Sequence, residues 1–169
     1  MSDHRCALER FKPGLDLSAA RRQRESFGHP DVFDERDLYP DARPSILSLR
    51  NAGYRVGIAG NQSMQNEEIL ARIGLQVDLV ASSARWGVAK PDRAFFKKII
   101  ELAGVPAPAI AYVGDRLDNE IIPARDARLG AIFIARGSWG RAHARRPEIA
   151  TVSRVIAILE MLPSVLAAL

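Results

Sequence analysis

Apolar residues in this chain fall into two patterns: short unbroken runs, and longer stretches in which they recur every three or four positions. The runs at 54–59, 77–81, 109–113 and 131–135 read as buried strands. Between them, Ile46, Leu47 and Leu49, then Ile69, Leu70 and Ile73, then Phe95, Phe96, Ile99, Ile100 and Leu102 mark the inward faces of three helices. Gly53, Gly74 and Gly104 stop those helices, Pro44 suits the opening turn of the first, and Pro91 that of the third. Gly60-Asn61-Gln62-Ser63 is a turn with capping potential, and a fourth helix over 120–129 ends at Gly130, with Pro123 tolerable only in its first turn. Toward the C-terminus, 150–155 offers a last strand and 158–166 an apolar helix that Pro163 interrupts. Parallel strands need crossover helices, so this alternation predicts an α/β fold with a doubly wound parallel sheet.

Ahead of residue 41 the pattern weakens. Residues 1–28 read as one helix with a ragged lead, turning at Pro13-Gly14, capped by Asp16 or Ser18 and ended by Gly28. Residues 29–40 are acidic and bounded by prolines, the signature of a linker.

Composition narrows the class. A chain of 169 residues has room for one domain with a real core, and 47% apolar with 26% charged residues argues against disorder and against a membrane protein. The single cysteine, Cys6, excludes an internal disulfide and a cysteine metal cluster, which fits a reducing cytosol. Residues 1–10 are polar and charged, without a signal peptide or membrane span, so a cytoplasmic location is expected. The net charge of +4 comes from arginine, since lysine occurs only at Lys12, Lys90, Lys97 and Lys98. Two arginine clusters stand out: Arg21, Arg22 and Arg24, and Arg136, Arg141, Arg145 and Arg146. Neither carries a recognised nucleic-acid motif, so nucleic acid is not the expected partner. The first reads as a solvated helix face; the second leaves an anionic substrate or partner open.

Three candidate sites fall at the carboxyl ends of predicted strands, where open α/β sheets bind their ligands. They are Gly60-Asn61-Gln62, Lys90 ahead of its helix, and Asp115 with Asp118, Asn119 and Glu120. Singly, Lys90 is an ordinary surface lysine, Asp115 a helix cap and Glu120 a first-turn acid. In this order and placement they resemble the second, third and fourth signature motifs of the haloacid dehalogenase-like (HAD) hydrolase superfamily, in its phosphatase-like branch with a small helical cap. The resemblance runs from Phe11 to the C-terminus. It implies a Rossmann-like core over 39–169, with 1–38 as the remnant of a helical cap and its linker. It implies that Lys90 neutralises phosphoryl oxygens, that Asp115 is a Mg2+ ligand, and that Glu120 replaces the motif's final aspartate. Gly60, Asn61 and Gln62 would bind the substrate, a small phosphorylated molecule, with Asn61 and its N–H on the phosphoryl group.

The pattern is also incomplete. HAD-like catalysis resembles attack by an aspartate of an Asp-x-Asp-x-Thr motif at the end of a first, central strand, and this sequence has no such motif. Asp34-Glu35-Arg36 and Asp16-Leu17-Ser18 do not follow a buried strand and read as loop and cap residues. Gly60 stands where the family usually places a hydroxyl, leaving backbone N–H groups as donors. The resemblance therefore places the first strand and early cap upstream of Met1. The strands that would flank it then keep unpaired backbone groups, at about 1–3 kcal/mol each if buried dry. Two expectations follow: a Mg2+-dependent phosphomonoester hydrolase, impaired in this chain until a nucleophile is supplied, or a catalytically inactive HAD-like module that binds an anionic ligand or protein partner. Exposed strand edges would also permit a homodimer. A dinucleotide-binding domain is disfavoured by the lack of Gly-x-Gly-x-x-Gly, and a phosphorelay receiver by the lack of an early acid pair.

Overall fold

A computed structural model describes residues 13–14, 16–28 and 33–168, which divide into two compact units meeting in sequence at Phe33 and Asp34. In the first unit, helix α1 (Leu17–Ser26) follows a turn at Pro13-Gly14 and is capped by the Asp16 carboxylate, which accepts the Ala19 N–H at 3.0 Å. The expected ragged lead, Cys6, and residues 29–32 of the expected linker lie outside the described residues.

The second unit begins with a turn over Glu35–Asp37, capped reciprocally by Asp34 and Asp37. It then alternates as predicted: α2 (Ala42–Asn51), β1 (Gly57–Gly60), α3 (Met64–Ile73), β2 (Leu79–Ser82), a single turn α4 (Ser83–Trp86), α5 (Arg93–Ala103) and β3 (Ala111–Gly114). A π-helical turn, Leu117–Ile121, leads into α6 (Ile122–Asp126) and β4 (Gly130–Ile134), followed by α7 (Gly137–His143), β5 (Val155–Ile156) and α8 (Leu162–Ala167). All strand pairs are parallel, in the register Gly57–Leu79, Ala111–Gly130 and Phe133–Val155. No helix is long and apolar enough to cross a membrane among the described residues.

Helices cover both faces of the β3–β4–β5 sheet. On one face Leu49 of α2 and Leu162 of α8 meet Ile132, Ile134 and Ile156; on the other Phe95 and Phe96 of α5 and Ala124 of α6 meet Tyr112. The period-2 alternation of β4 sends Ile132 to the first face and Phe133 to the second, where it packs with Leu117 and Ile121.

The strands form two pieces, β1–β2 and β3–β4–β5, rather than one continuous sheet. Among the described residues β1 pairs only with β2, and β3 only with β4. The two unpaired edges belong to one layer. Val56, just before β1, joins Ala111 and Val113 against the Leu49 cluster, while Ala59 packs against the Tyr112 cluster on the opposite face. A single ladder explains why β1 is only half-buried and begins at Gly57, three residues later than the apolar run suggested, with Tyr54 exposed.

Other expectations shift for local reasons. Leu47 is 46% exposed, because the core-facing stripe of α2 is Ser45 and Leu49, one turn apart. Pro91 precedes the helix it was expected to open, since Asp92 is the cap, accepting the Ala94 N–H at 2.8 Å. The last strand is the two-residue β5, while 147–151 forms a 3-10 turn. Pro163 sits in the first turn of α8, where its missing N–H is harmless.

Candidate active site

The three predicted site segments converge at the carboxyl edge of the two sheet pieces. Asn61 follows β1 and grips the backbone of Lys90: its Oδ1 accepts the Lys90 N–H at 2.8 Å and its Nδ2 donates to the Lys90 carbonyl at 2.9 Å. Both polar ends of the side chain are thereby engaged, and Asn61 fixes the segment carrying the lysine. Gln62 is likewise engaged: its Oε1 accepts from Asn66 at 2.7 Å. At Gly60 a Cβ would meet only the Gln62 side chain at an ordinary 3.4 Å.

Lys90 carries its ammonium inward. Its side chain is 8% exposed, lies 5.9 Å from the ring centres of both Phe95 and Tyr112, and forms an ion pair with Glu120, itself 12% exposed. The second oxygen of Glu120 accepts the N–H groups of Asp115 at 2.9 Å and Arg116 at 3.1 Å. One carboxylate thus holds both the lysine and the loop that follows β3. The π-helical turn sets this up by bringing Glu120 back over Gly114. A Cβ at Gly114 would lie 2.6–2.9 Å from three Glu120 atoms, so glycine is a steric requirement there.

Asp115 stands beside this pair, half-buried at the end of β3. Burial first, and then the negative charge of Glu120, push its carboxyl up to about 6. The Tyr112 phenol is raised by burial and by the same two acids. Asp118, three residues on, points elsewhere: Arg116 lies 3.2 Å, Arg146 3.8 Å and His143 3.9 Å from its oxygens. Burial pushes the Asp118 carboxyl up, but the Arg116 hydrogen bonds and surrounding cations outweigh it and lower the pKa. Among the described residues no three His, Cys, Asp or Glu side chains converge to hold a metal ion.

Several contributors were not foreseen. Helix α7 brings His143, 4% exposed, beneath the loop, where its Nδ1 accepts the Leu117 N–H at 3.1 Å; burial lowers its pKa. Trp139 of the same helix stacks under the Arg116 guanidinium at 4.5 Å. The second arginine cluster is dispersed: Arg136 binds Asp41, Arg146 binds Glu148, and Arg141 and Arg145 are exposed. The stretch after β4, Gly-Ser-Trp-Gly-Arg-Ala-His, carries no apolar stripe that would mark α7.

A family model described as haloacid dehalogenase-like hydrolase matches residues 7–128. The chain belongs to that family. Among curated relatives of this HAD-like hydrolase, the glyceraldehyde 3-phosphate phosphatase of Methanopyrus kandleri is 33% identical over 114 residues, which are 66% of this chain and 49% of the relative. The phosphatase MT3486 of Mycobacterium tuberculosis is 31% identical over 133 residues, 75% of this chain and 59% of that protein. A HAD phosphatase crystal structure from Thermococcus onnurineus superposes with a TM-score of 0.67 at 26% identity, covering 90% of this chain and 66% of that one. The HAD-like chain spans about half the length of the first curated relatives it matches. Two acids weighed as substitute nucleophiles, Asp16 and Asp34, both serve as helix or turn caps.

Proposed function

We propose that this chain forms the phosphoryl-binding part of a Mg2+-dependent phosphomonoester hydrolase and takes its nucleophilic carboxylate from a strand seated between β1 and β3. The observation that carries this reading is the Lys90–Glu120 ion pair buried beside Asp115, at the carboxyl end of two strands whose facing edges are unpaired among the described residues. Lys90 is a fixed positive charge where phosphoryl oxygens gain negative charge. Glu120 orients that ammonium and, through two N–H groups, the Asp115 loop. Asp115 would hold Mg2+. Its carboxylate stands half-buried at the end of β3 beside a second acid, and a hard ion that keeps several waters suits a single protein oxygen. When bound, Mg2+ supplies further charge neutralisation at the phosphate.

A carboxylate arriving on the added strand would form a bond to phosphorus as the bond to the leaving alkoxide breaks, the alkoxide taking a proton from solvent water and departing as the alcohol. Water then releases inorganic phosphate and regenerates the carboxylate. The chain without that carboxylate is impaired. Residues 1–38 fit the role of a cap segment that selects a small phosphorylated substrate, and the single cysteine fits a cytoplasmic setting.

The test compares the 169-residue chain with an extended form carrying an N-terminal segment that supplies such a strand and carboxylate, using p-nitrophenyl phosphate and Mg2+. The extended form should turn over, the shorter chain should not, and Lys90→Ala in the extended form should lose at least about 100-fold in kcat. A well-folded extended form without phosphatase activity sinks the proposal. The rival reading, an inactive module binding an anion or protein, is favoured by one fact: Lys90 is already neutralised by Glu120. That module would bind its ligand equally well after Asp115→Asn.

A further inference from the structure

Tyr39 is half exposed, yet an unusual amount of buried structure fixes its ring. The Arg136 guanidinium lies 3.9 Å from the ring centre. Arg136 is in turn held by Asp41, whose two oxygens accept from its Nη1 at 2.6 and 2.8 Å, with side chains only 19% and 11% exposed. Asp41 also accepts the Leu159 N–H at 2.7 Å, so the assembly is tied to the turn that precedes α8. The ring is thus held against a cation that is itself fixed by a largely buried carboxylate.

That placement sets the hydroxyl at the rim of the phosphoryl site. A Cβ at Gly137 would lie 3.1 Å from the Tyr39 oxygen and 3.9 Å from the Asp115 Oδ2. Hydroxyl and carboxylate therefore border the same small space, which Gly137, at φ +69°, leaves open. Among the described residues the hydroxyl makes no hydrogen bond, although the Tyr39 carbonyl accepts from Ala42 at 2.9 Å. A phenol is a neutral donor that suits an anionic ligand oxygen and adds no negative charge beside Asp115.

We propose that Tyr39 is a substrate-contacting residue, its hydroxyl donating a hydrogen bond to an oxygen of a phosphate-bearing ligand lodged between it and Asp115, with Arg136 and Asp41 as positioning residues. This rests on the phosphatase reading above. Tyr39→Phe removes the donor and keeps the ring under Arg136. The experiment titrates inorganic phosphate with Mg2+ into the extended form by calorimetry, for the parent, Tyr39→Phe and Lys90→Ala, alongside melting temperatures and KM for p-nitrophenyl phosphate.

Expected for Tyr39→Phe are phosphate affinity weakened about ten-fold, KM raised by a similar factor, and a melting temperature within about 1 °C of the parent. If Lys90→Ala weakens phosphate binding and Tyr39→Phe does not, this inference fails while the phosphatase reading stands. If Tyr39→Phe lowers affinity and melting temperature together, the hydroxyl is a structural group and the inference is overturned. If the parent binds no phosphate, or Lys90→Ala leaves binding unchanged, the phosphatase reading fails and this inference with it.

Discussion

Replacing Glu120 by glutamine separates charge from shape at the centre of the site. The amide keeps the size of the side chain and one oxygen that can accept the Asp115 and Arg116 N–H groups, but it abandons Lys90, whose side chain is 8% exposed. Leaving one member of a buried ion pair uncompensated costs about 3–5 kcal/mol. Asp115 stands close enough to take over part of the counter-charge, so we expect the lower end, about 3 kcal/mol, or a fall of roughly 6–12 °C in Tm for a chain of this length. The companion variant Lys90→Met should cost a similar amount, since it leaves two neighbouring acids without their cation. The double variant replaces the pair by neutral groups and should lose only about 1 kcal/mol. Urea denaturation of all four proteins at pH 7.5 closes the cycle. A double variant as unstable as the sum of the singles would show that Lys90 and Glu120 do not depend on each other, and the proposed positioning of the lysine would be wrong.

Further outcomes follow from the same geometry. Gly114→Ala puts a methyl group 2.6–2.9 Å from Glu120 and should displace that side chain, costing about 2 kcal/mol or more and making Lys90→Met nearly silent in the same background; full additivity would contradict this. The Asp115 carboxyl, raised to about 6 from an unfolded value of 3.8, binds its proton more tightly in the folded chain. Its contribution to stability is therefore present below pH 3.8 and lost as pH rises through 6. The rise from 3.8 to about 6 corresponds to about 3 kcal/mol, halved to about 1.5 kcal/mol because the group is half-exposed and solvent screens it. In EDTA, Asp115→Asn should raise Tm at pH 7.5 and flatten the pH 4–6 profile, and a lower Tm would refute the assignment. For Asp41, burial pushes the carboxyl up, but Arg136 and the Leu159 N–H outweigh it and hold it below the usual range. That contribution is present above the unfolded value and disappears as pH falls through the lowered one. Asp41→Asn strands Arg136 and should cost about 3 kcal/mol at pH 7, measured by urea denaturation, with an unchanged midpoint as the opposing result.

The succession of strands and helices and the motif residues were legible because they rest on local signals: apolar runs, helical spacing, and glycines such as Gly74 and Gly104 in the left-handed conformation at helix ends. The length of β1 was not, since pairing depends on neighbours that a run of apolar residues cannot reveal. Helix α7 was hidden for a related reason. Its sequence, Gly-Ser-Trp-Gly-Arg-Ala-His, lacks an apolar stripe, and it is held by Trp139 against Arg116 and His143 against Leu117. The Asp41–Arg136 pair joins residues 95 positions apart, and the Arg116 and Asp115 N–H groups meet Glu120 only because the chain takes a π-helical turn. Spacing alone carries none of this. The family's signature made Lys90, Asp115 and Glu120 readable as a set, whereas the grip of the Asn61 side chain on the Lys90 backbone could not be read from it.

The division of the sheet between β1 and β3 has a thermodynamic consequence. If a strand that completes the layer binds only the folded chain, it acts as a ligand of folding, and its concentration sets how much of the chain is folded. At one hundred times its dissociation constant such a strand adds about 2.7 kcal/mol, comparable to the expected cost of Glu120→Gln alone. A denaturation midpoint that climbs with the logarithm of strand concentration would then report occupancy of the seam without any substrate present. Competence to bind phosphate and resistance to unfolding become two readouts of one equilibrium.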